Sequence, residues 1–136
     1  MRVFSSVKGM TLVETMAAMF LFTLVLTAVL ETTAQNTTMG IRTENAYLAY
    51  NLAKNHIETL KSLPFGSLSS AAESGTLLNA LGVSDLDGAF KRTTTVTTGY
   101  SGDANLVQLT TSVDYKVKGA FVGHPMSITT VVFQYA

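Results

Sequence analysis

A run of 21 residues, Met10–Leu30, is apolar apart from its threonines and one charged side chain, Glu14. As an α-helix the run would be about 31 Å long, which matches the roughly 30 Å hydrocarbon layer of a bilayer. Its Leu, Met, Ala and Phe residues favour a helix, and neither Pro nor Gly interrupts it. The sequence therefore predicts a membrane-spanning helix near the N-terminus.

The segment before this helix, residues 1–9, is a short polar leader. It contains Arg2 and Lys8 and no acidic residue. Basic residues beside a membrane helix favour the cytoplasmic side of the membrane. We therefore expect a single-pass protein whose N-terminus is cytoplasmic and whose residues after Leu30 lie outside.

Residues 31–63 are more polar, but their apolar side chains keep the period of a helix. At about 100° per residue, one arc of this helix collects apolar side chains. They are Ala46, Leu48, Ala49, Tyr50, Leu52, Ala53, Ile57 and Leu60. The opposite arc carries Glu44, Asn51, Lys54, Glu58 and Lys61. Because Pro64 disfavours helical backbone in the residue before it, this amphipathic half should end near Leu63.

The remainder of the chain changes character. Residues 67–88, rich in Ser, Ala, Gly and Leu, predict a connecting loop with one short helix around Leu77–Leu81. Alternating Thr, Val and aromatic residues then predict strands at Lys91–Thr98, Leu109–Lys118 and Met126–Tyr135. Short turn sequences between them favour an antiparallel meander. The apolar face of this meander needs a cover, and the apolar arc of the helix is the natural one.

The predicted fold class is therefore α+β: a long N-terminal helix packed on a three- to four-stranded antiparallel sheet. Four segments follow along the chain. They are a leader (1–9), the membrane half of the helix (10–30), its amphipathic half (31–63), and a loop plus sheet (64–136). We expect the last segment to form one globular domain with residues 37–63.

The junction from Lys8 to Glu14 places a glycine at the membrane boundary and a carboxylate one turn inside the apolar helix. A charge at mid-bilayer costs about 2.5–3.5 kcal/mol on insertion scales, so such a residue calls for a function and a positive partner. No basic side chain occurs in the next turns. If the chain were cut after Gly9, the new α-amino group of Met10 would be a cation at this depth. Glu14 could then pair with that amine on a neighbouring subunit.

This junction resembles the N-terminal motif of type IV pilins and pseudopilins, which have a short basic leader, a glycine before the cut and a glutamate as fifth mature residue. The resemblance implies that a membrane prepilin peptidase cuts between Gly9 and Met10 and methylates the amine of Met10. It also implies that Glu14 provides the counter-charge to a neighbouring N-terminus during assembly. The segment Leu48–Phe65 looks like the end of the long helix in V-type minor pilins, and I-type minor pseudopilins of type II secretion are similar there.

Three features distinguish the chain from main pilus subunits. Met10 follows the cut where main subunits usually have Phe, Glu31 stands where many have a kinking Pro, and the chain has no Cys. The resemblance therefore implies a minor subunit that helps to initiate or cap a pilus or a periplasmic pseudopilus. Its partners would be other pilin or pseudopilin subunits, the prepilin peptidase and the inner membrane.

Two other interpretations stay open. The apolar run could be a secretory signal cut after Ala34. It could also be an uncleaved anchor for an extracytoplasmic binding module with no filament role. Glu14 disfavours both, because neither gives its charge a purpose.

The sequence predicts no catalytic residue, no cofactor and no metal site. Nine basic and nine acidic residues give zero net charge and form no basic stripe, so no nucleic-acid partner is expected. His56 lies in the apolar arc as a packing residue and His124 lies in a turn. Without Cys or a carboxylate cluster, these two do not make a zinc site. Asp85 and Asp87 occupy a glycine turn and resemble half of a calcium loop, but the glutamate of such a loop is missing.

Overall fold

A computed structural model of the chain describes residues 11–134. Its elements in chain order are α1 (Leu12–Lys61), a 3₁₀ helix (Phe65–Ala71), β1 (Glu73–Leu78), β2 (Phe90–Thr98), a short 3₁₀ turn (Tyr100–Gly102), β3 (Leu106–Val117), β4 (Ala120–Phe121) and β5 (Met126–Phe133). The chain divides into two units between Met39 and Gly40. The first contains the beginning of α1, and the second contains the end of α1 and all five strands.

Helix α1 ends two residues before the predicted boundary. Its last α-helical residue is Lys61, and the backbone N–H groups of Ser62 and Leu63 each donate to a carbonyl three residues earlier, at 3.1 Å. Hydrogen bonds to a carbonyl three residues earlier satisfy carbonyl groups that an α-helix leaves without a partner at its end. Pro64 follows with extended backbone and directly precedes the 3₁₀ helix, so the α-helix ends just before the proline, as expected.

The sheet is antiparallel, with β1, β2 and β3 adjacent in that order. On its other side, β3 pairs with β4 near one end and with β5 along most of its length. The three predicted strands correspond to β2, β3 and β5, and their meander order is confirmed. The α+β fold class is confirmed as well.

The prediction for residues 67–88 was only partly correct. Residues 79–88 form a connecting loop as expected, but the chain before them forms the 3₁₀ helix and strand β1, and Leu77 and Leu78 lie in that strand instead of a helix. Strand β1 pairs with β2 through a shifted register between Glu73 and Thr76, and Gly75 in this shift has a φ of 68°. Its Ser and Gly have little strand preference, so hydrogen bonding to β2 decides the conformation.

The apolar arc of α1 packs on the inner face of the sheet. Ala49 and Ala53 are completely buried, and their small side chains let the helix approach the sheet closely. Two clusters of buried residues result. One contains Ala49, Ala53, Leu78, Phe90, Val113 and Tyr115; the other contains Ile57, Leu60, Leu68, Val107 and Leu109. The predicted arc is thus confirmed, except that Tyr50 is 47% exposed.

Strand β3 shows the expected alternation of buried and less buried residues from Val107 to Val113. Asp114 departs from it, because it was expected on the solvent side and is buried. Its carboxylate accepts hydrogen bonds from the backbone N–H of Gly123 at 3.2 and 3.3 Å and from that of Tyr115 at 2.9 Å. The loop before β5 therefore folds over Asp114, which a strand pattern alone does not predict.

Candidate functional site on the N-terminal helix

The first unit presents an exposed apolar helix surface. All its large apolar side chains from Leu12 to Leu30 are exposed, with exposed fractions between 46% at Leu26 and 78% at Leu12. Among the residues that the structure describes, α1 is the helix long and apolar enough to cross a membrane. An apolar surface of this extent marks a place where lipid or another protein binds.

The threonines of this surface do not present unsatisfied donors. The hydroxyls of Thr15, Thr23 and Thr27 donate to carbonyl oxygens three residues earlier at 2.8, 2.8 and 2.9 Å. Each hydroxyl also lies near the carbonyl four residues earlier. A polar group bonded within its own helix costs little in hydrocarbon. The threonines are therefore compatible with an apolar environment all around the helix.

Glu14 lies in the first turn of α1 and is exposed. Its backbone N–H donates to the hydroxyl oxygen of Thr11 at 3.3 Å and to the carbonyl oxygen of Thr11 at 3.0 Å. Thr11 thus caps the helix, and a carboxylate at this position also interacts favourably with the helix dipole. Sequence reasoning missed this cap, although Thr-x-x-Glu before an apolar run is its usual signature.

No basic residue follows Glu14 in the first unit. From Thr11 to Met39 the chain has no Lys, Arg or His. Glu14 forms no salt bridge with any residue between 11 and 134. Gly9 and Met10, the predicted cleavage and methylation site, lie outside the described residues. A cation that neutralises Glu14 must therefore come from residues before Thr11 or from another molecule.

The second unit contains a cluster of charged side chains that connects α1 with the sheet. Arg92 on β2 donates to the carboxylate of Glu73 on β1 from two nitrogens, from Nε to Oε2 at 3.1 Å and from Nη2 to both carboxylate oxygens at 3.0 Å. His56 Nε2 on α1 lies 3.2 Å from the same carboxylate but is buried without hydrogen-bond geometry. The expectation that His56 is a packing residue was incomplete. Its polar neighbours could not be predicted from the sequence. Strand β1 was not predicted, so Glu73 was not expected to lie beside α1.

This environment changes the protonation of His56. Burial, followed by the positive charge of Arg92, lowers the pKa of His56 below its ordinary value of 6.5, and Glu73 opposes the change. The folded chain therefore favours neutral His56. The cluster connects three elements of the second unit, α1, β1 and β2.

The remaining polar residues noted in the sequence have local roles. Asp85 accepts a hydrogen bond from the backbone N–H of Asp87 at 3.0 Å, which stabilises the turn before Gly88. His124 is exposed in the loop before β5. Within residues 11–134 no three His, Cys, Asp or Glu side chains are grouped closely enough to hold a metal ion.

The lowered pKa of His56 predicts a pH-dependent stability. As the pH falls below 6.5, the unfolded chain takes up the proton first. The free energy of unfolding should therefore decrease until the pH reaches the lower pKa of the folded state. His56→Gln should lose this part of the decrease. Urea unfolding of the full chain in detergent, followed by near-ultraviolet circular dichroism, measures it.

The second histidine provides the control. His124→Gln should keep the wild-type pH dependence, because His124 is exposed in a loop. Equal pH dependence in wild type and His56→Gln would contradict the assigned environment of His56.

Comparison with known proteins adds no family assignment: no family model matches this sequence, and neither curated proteins nor solved structures give a significant match.

Proposed function

We propose that this chain is a minor pilin or pseudopilin, a structural and non-enzymatic subunit that helps to initiate or cap a type IV pilus or a related filament. One observation carries the proposal. Glu14 lies in the first turn of an apolar, uncovered helix whose sequence from Thr11 to Met39 contains no basic side chain. A charge in such a place is costly unless a partner supplies the opposite charge.

The apolar surface serves two states of the subunit. A helix that is apolar all around is stable in a membrane or inside an assembly of similar helices. Before assembly it anchors the subunit in the inner membrane, with residues after Leu30 outside. In the filament the same surface packs against equivalent helices of neighbouring subunits.

Cleavage connects the two states. After a prepilin peptidase cuts between Gly9 and Met10, the methylated α-amino group of Met10 becomes the missing cation. In the low-dielectric core of the filament, this amine pairs with the Glu14 carboxylate of a neighbour. A close ion pair in such a medium is much stronger than in water, provided that the two groups meet in good geometry.

The assignment to a minor subunit rests on Met10, on Glu31 in place of a kinking proline, and on the likeness of Leu48–Phe65 to V-type and I-type minor subunits. There is also a physical reason. A subunit repeated along a filament must match its upper and lower neighbours identically, since each contact is heterologous. A subunit at the tip matches only the one beneath it, so its surface is less constrained.

A second candidate is a membrane-anchored extracytoplasmic binding module with no filament role. The observation that favours it is the position of Glu14 in the first turn of α1, which Thr11 caps. A carboxylate there interacts favourably with the helix dipole, which gives Glu14 a local purpose without a neighbouring subunit. In that case the N-terminus would be neither cut at Gly9 nor methylated.

Mass spectrometry of the N-terminus in the native host separates the two candidates. We expect a peptide that begins at methylated Met10. Gly9→Leu should leave the full-length 14.5 kDa precursor in the membrane, because the branched side chain obstructs access to the scissile bond. Gly9→Ala is the conservative control and should be cut at least partly. A wild-type chain that keeps Arg2 and Lys8, or that begins after Ala34, would refute the proposal.

Quantitative proteomics of sheared filaments tests the minor role. This chain should be present in trace amounts relative to the main pilin, and its deletion should reduce filament number without reducing the main pilin in the membrane. If the chain instead dominates the filament mass, it is a main subunit.

A further inference from the structure

Two lysine side chains of the second unit converge on one aromatic ring. Lys91 lies on β2 and Lys116 on β3, and their Nζ atoms lie 4.7 and 5.2 Å from the centre of the Phe121 ring on β4. Lys116 is directly opposite Phe121 in the register of β3 and β4. The residues before Lys116 and before Lys91 are in the core under α1, so both lysines lie on the face of the sheet away from the helix.

The positive charges of these two lysines have no ion-pair partner within residues 11–134. None of the salt bridges of this range includes Lys91 or Lys116. Asp114 is directly opposite Lys91, but its buried carboxylate accepts backbone N–H groups, among them that of Gly123. An aromatic ring holds a cation in place without neutralising its charge. The two ammonium groups are therefore positioned by the fold and keep an excess of positive charge.

A third lysine lies at the tip of the hairpin between β3 and β4. Lys118 and Gly119 both have positive φ, of 52° and 84°, as in two-residue turns that usually begin with Asn, Asp or Gly. Because lysine is uncommon in this conformation, its place in the turn has a conformational cost. Lys118 is exposed and takes part in no salt bridge of the described chain. Together with Lys91, Lys116 and Phe121 it forms a lysine cluster.

The lysine cluster lies at the end of the second unit where the chain enters it. Asn45 Nδ2 donates to the carbonyl oxygen of Lys116 at 3.0 Å, which fixes the hairpin close to Gly40, the first residue of this unit. From Leu30, the end of the predicted membrane span, to Asn45 the chain measures about 22 Å as a helix. A membrane that holds the apolar helix is therefore present at the cluster at a high effective concentration.

We propose that the lysine cluster binds the phosphate groups of anionic phospholipids in the membrane that anchors α1. Ammonium groups bind phosphate as point charges, and an anionic bilayer surface attracts lysines within about a Debye length. Asp85 and Asp87 in the loop before β2 reduce the excess of positive charge, so this attachment should be weak and reversible by salt. The proposal rests on membrane anchoring by α1, which both candidate functions share, and not on cleavage at Gly9.

Fluorescence quenching of the full chain in nanodiscs tests the proposal. The sequence has no Cys, so Ala120→Cys places a single fluorophore at an exposed position of the hairpin. A quencher on the lipid headgroups then reports the fraction of chains whose hairpin lies at the membrane surface. Phosphatidylglycerol should raise the ratio of docked to undocked chains at least about fivefold over phosphatidylcholine alone, since each lysine near an anionic surface contributes roughly that factor.

Two double variants with the same change of net charge separate the cluster from the rest of the unit. Lys116→Gln with Lys118→Gln should lose most of the phosphatidylglycerol effect. Lys54→Gln with Lys61→Gln, on the exposed side of α1, should keep it. A label at Thr97→Cys, near the other end of β2, should show little quenching in either lipid.

Equal quenching of the hairpin label in the two lipids would refute the proposal. Equal loss in both double variants would also refute it, because the net charge of the unit would then be responsible. If double-stranded DNA removed the quenching at a phosphate concentration at which phosphatidylglycerol vesicles did not, a nucleic acid would be the preferred partner and the proposal would be wrong.

Co-flotation of the chain with liposomes measures insertion of α1 separately. A chain that does not insert contradicts the membrane anchor, and with it both candidate functions. A chain that inserts without docking of the hairpin contradicts the lipid site alone.

Discussion

Replacing Glu14 with alanine is expected to leave the chain inserted in the membrane and largely cut, but to exclude it from filaments. Insertion becomes easier because a charge is removed from the apolar helix. Incorporation fails because the amine of the neighbouring Met10 loses its counter-charge inside a low-dielectric core. Breaking such a buried pair costs about 3–5 kcal/mol, which corresponds to more than two orders of magnitude in the equilibrium. Immunoblots of sheared filaments and of membrane fractions measure both effects.

Three control variants separate the charge of Glu14 from its other properties. Glu14→Gln keeps the size of the side chain and should fail like alanine, whereas the shorter Glu14→Asp should be intermediate. Glu31→Ala removes the other acidic residue of the first unit, and this variant should be incorporated into filaments normally. If Glu14→Ala reaches filaments at the wild-type level, pairing with a neighbouring amine is wrong.

Thr11 distinguishes pairing between subunits from local capping. Thr11→Val removes the hydroxyl that accepts the N–H of Glu14 and keeps the carboxylate. Loss of such a cap costs about 0.5–2 kcal/mol of helix stability. We expect this variant to be incorporated nearly normally if Glu14 acts through its charge on a neighbouring subunit. If it failed as strongly as Glu14→Ala, the stability of the first helical turn would be the required feature, because Glu14→Ala keeps the Thr11 cap and loses the interaction of the carboxylate with the helix dipole.

Replacing Gly88 with alanine is expected to be the most destabilising single substitution by one methyl group in the second unit. Gly88 is buried, and a Cβ atom built on it lies 2.6 Å from both the backbone N and the carbonyl carbon of Leu78 and even closer to the carbonyl oxygen. Leu78 is itself in the core at the end of β1, so neither backbone can move freely. Overpacking of this kind costs about 1–3 kcal/mol, and we expect the upper end because backbone atoms are involved.

Thermal unfolding of the full chain in detergent measures this effect. For a unit of this size each kcal/mol lowers the melting temperature by roughly 4–8 °C, so Gly88→Ala should melt more than about 10 °C below wild type. Gly66→Ala is the matched control, because no atom lies within 4 Å of its added Cβ. A melting temperature of Gly88→Ala close to that of Gly66→Ala would contradict the close approach of the two backbones.

Elements with local signals could be predicted from the sequence. An apolar run of membrane length and a helical period predicted α1, and Pro64 predicted its end within two residues. Alternation of apolar and polar residues predicted β2, β3 and β5, and short turns between them predicted their order. The Lys8–Glu14 junction is also a local pattern, and it remains a prediction because Gly9 and Met10 lie outside the described residues.

Features that depend on distant residues could not be predicted and became apparent only in the folded structure. Strand β1 exists because β2 supplies its hydrogen bonds, although its Ser and Gly disfavour a strand. Asp114 is buried because Gly123 folds back over it. His56 meets Glu73 and Arg92 only after α1 packs on the sheet. In each case the free energy comes from partners many residues away, so no pattern within one segment carries the information.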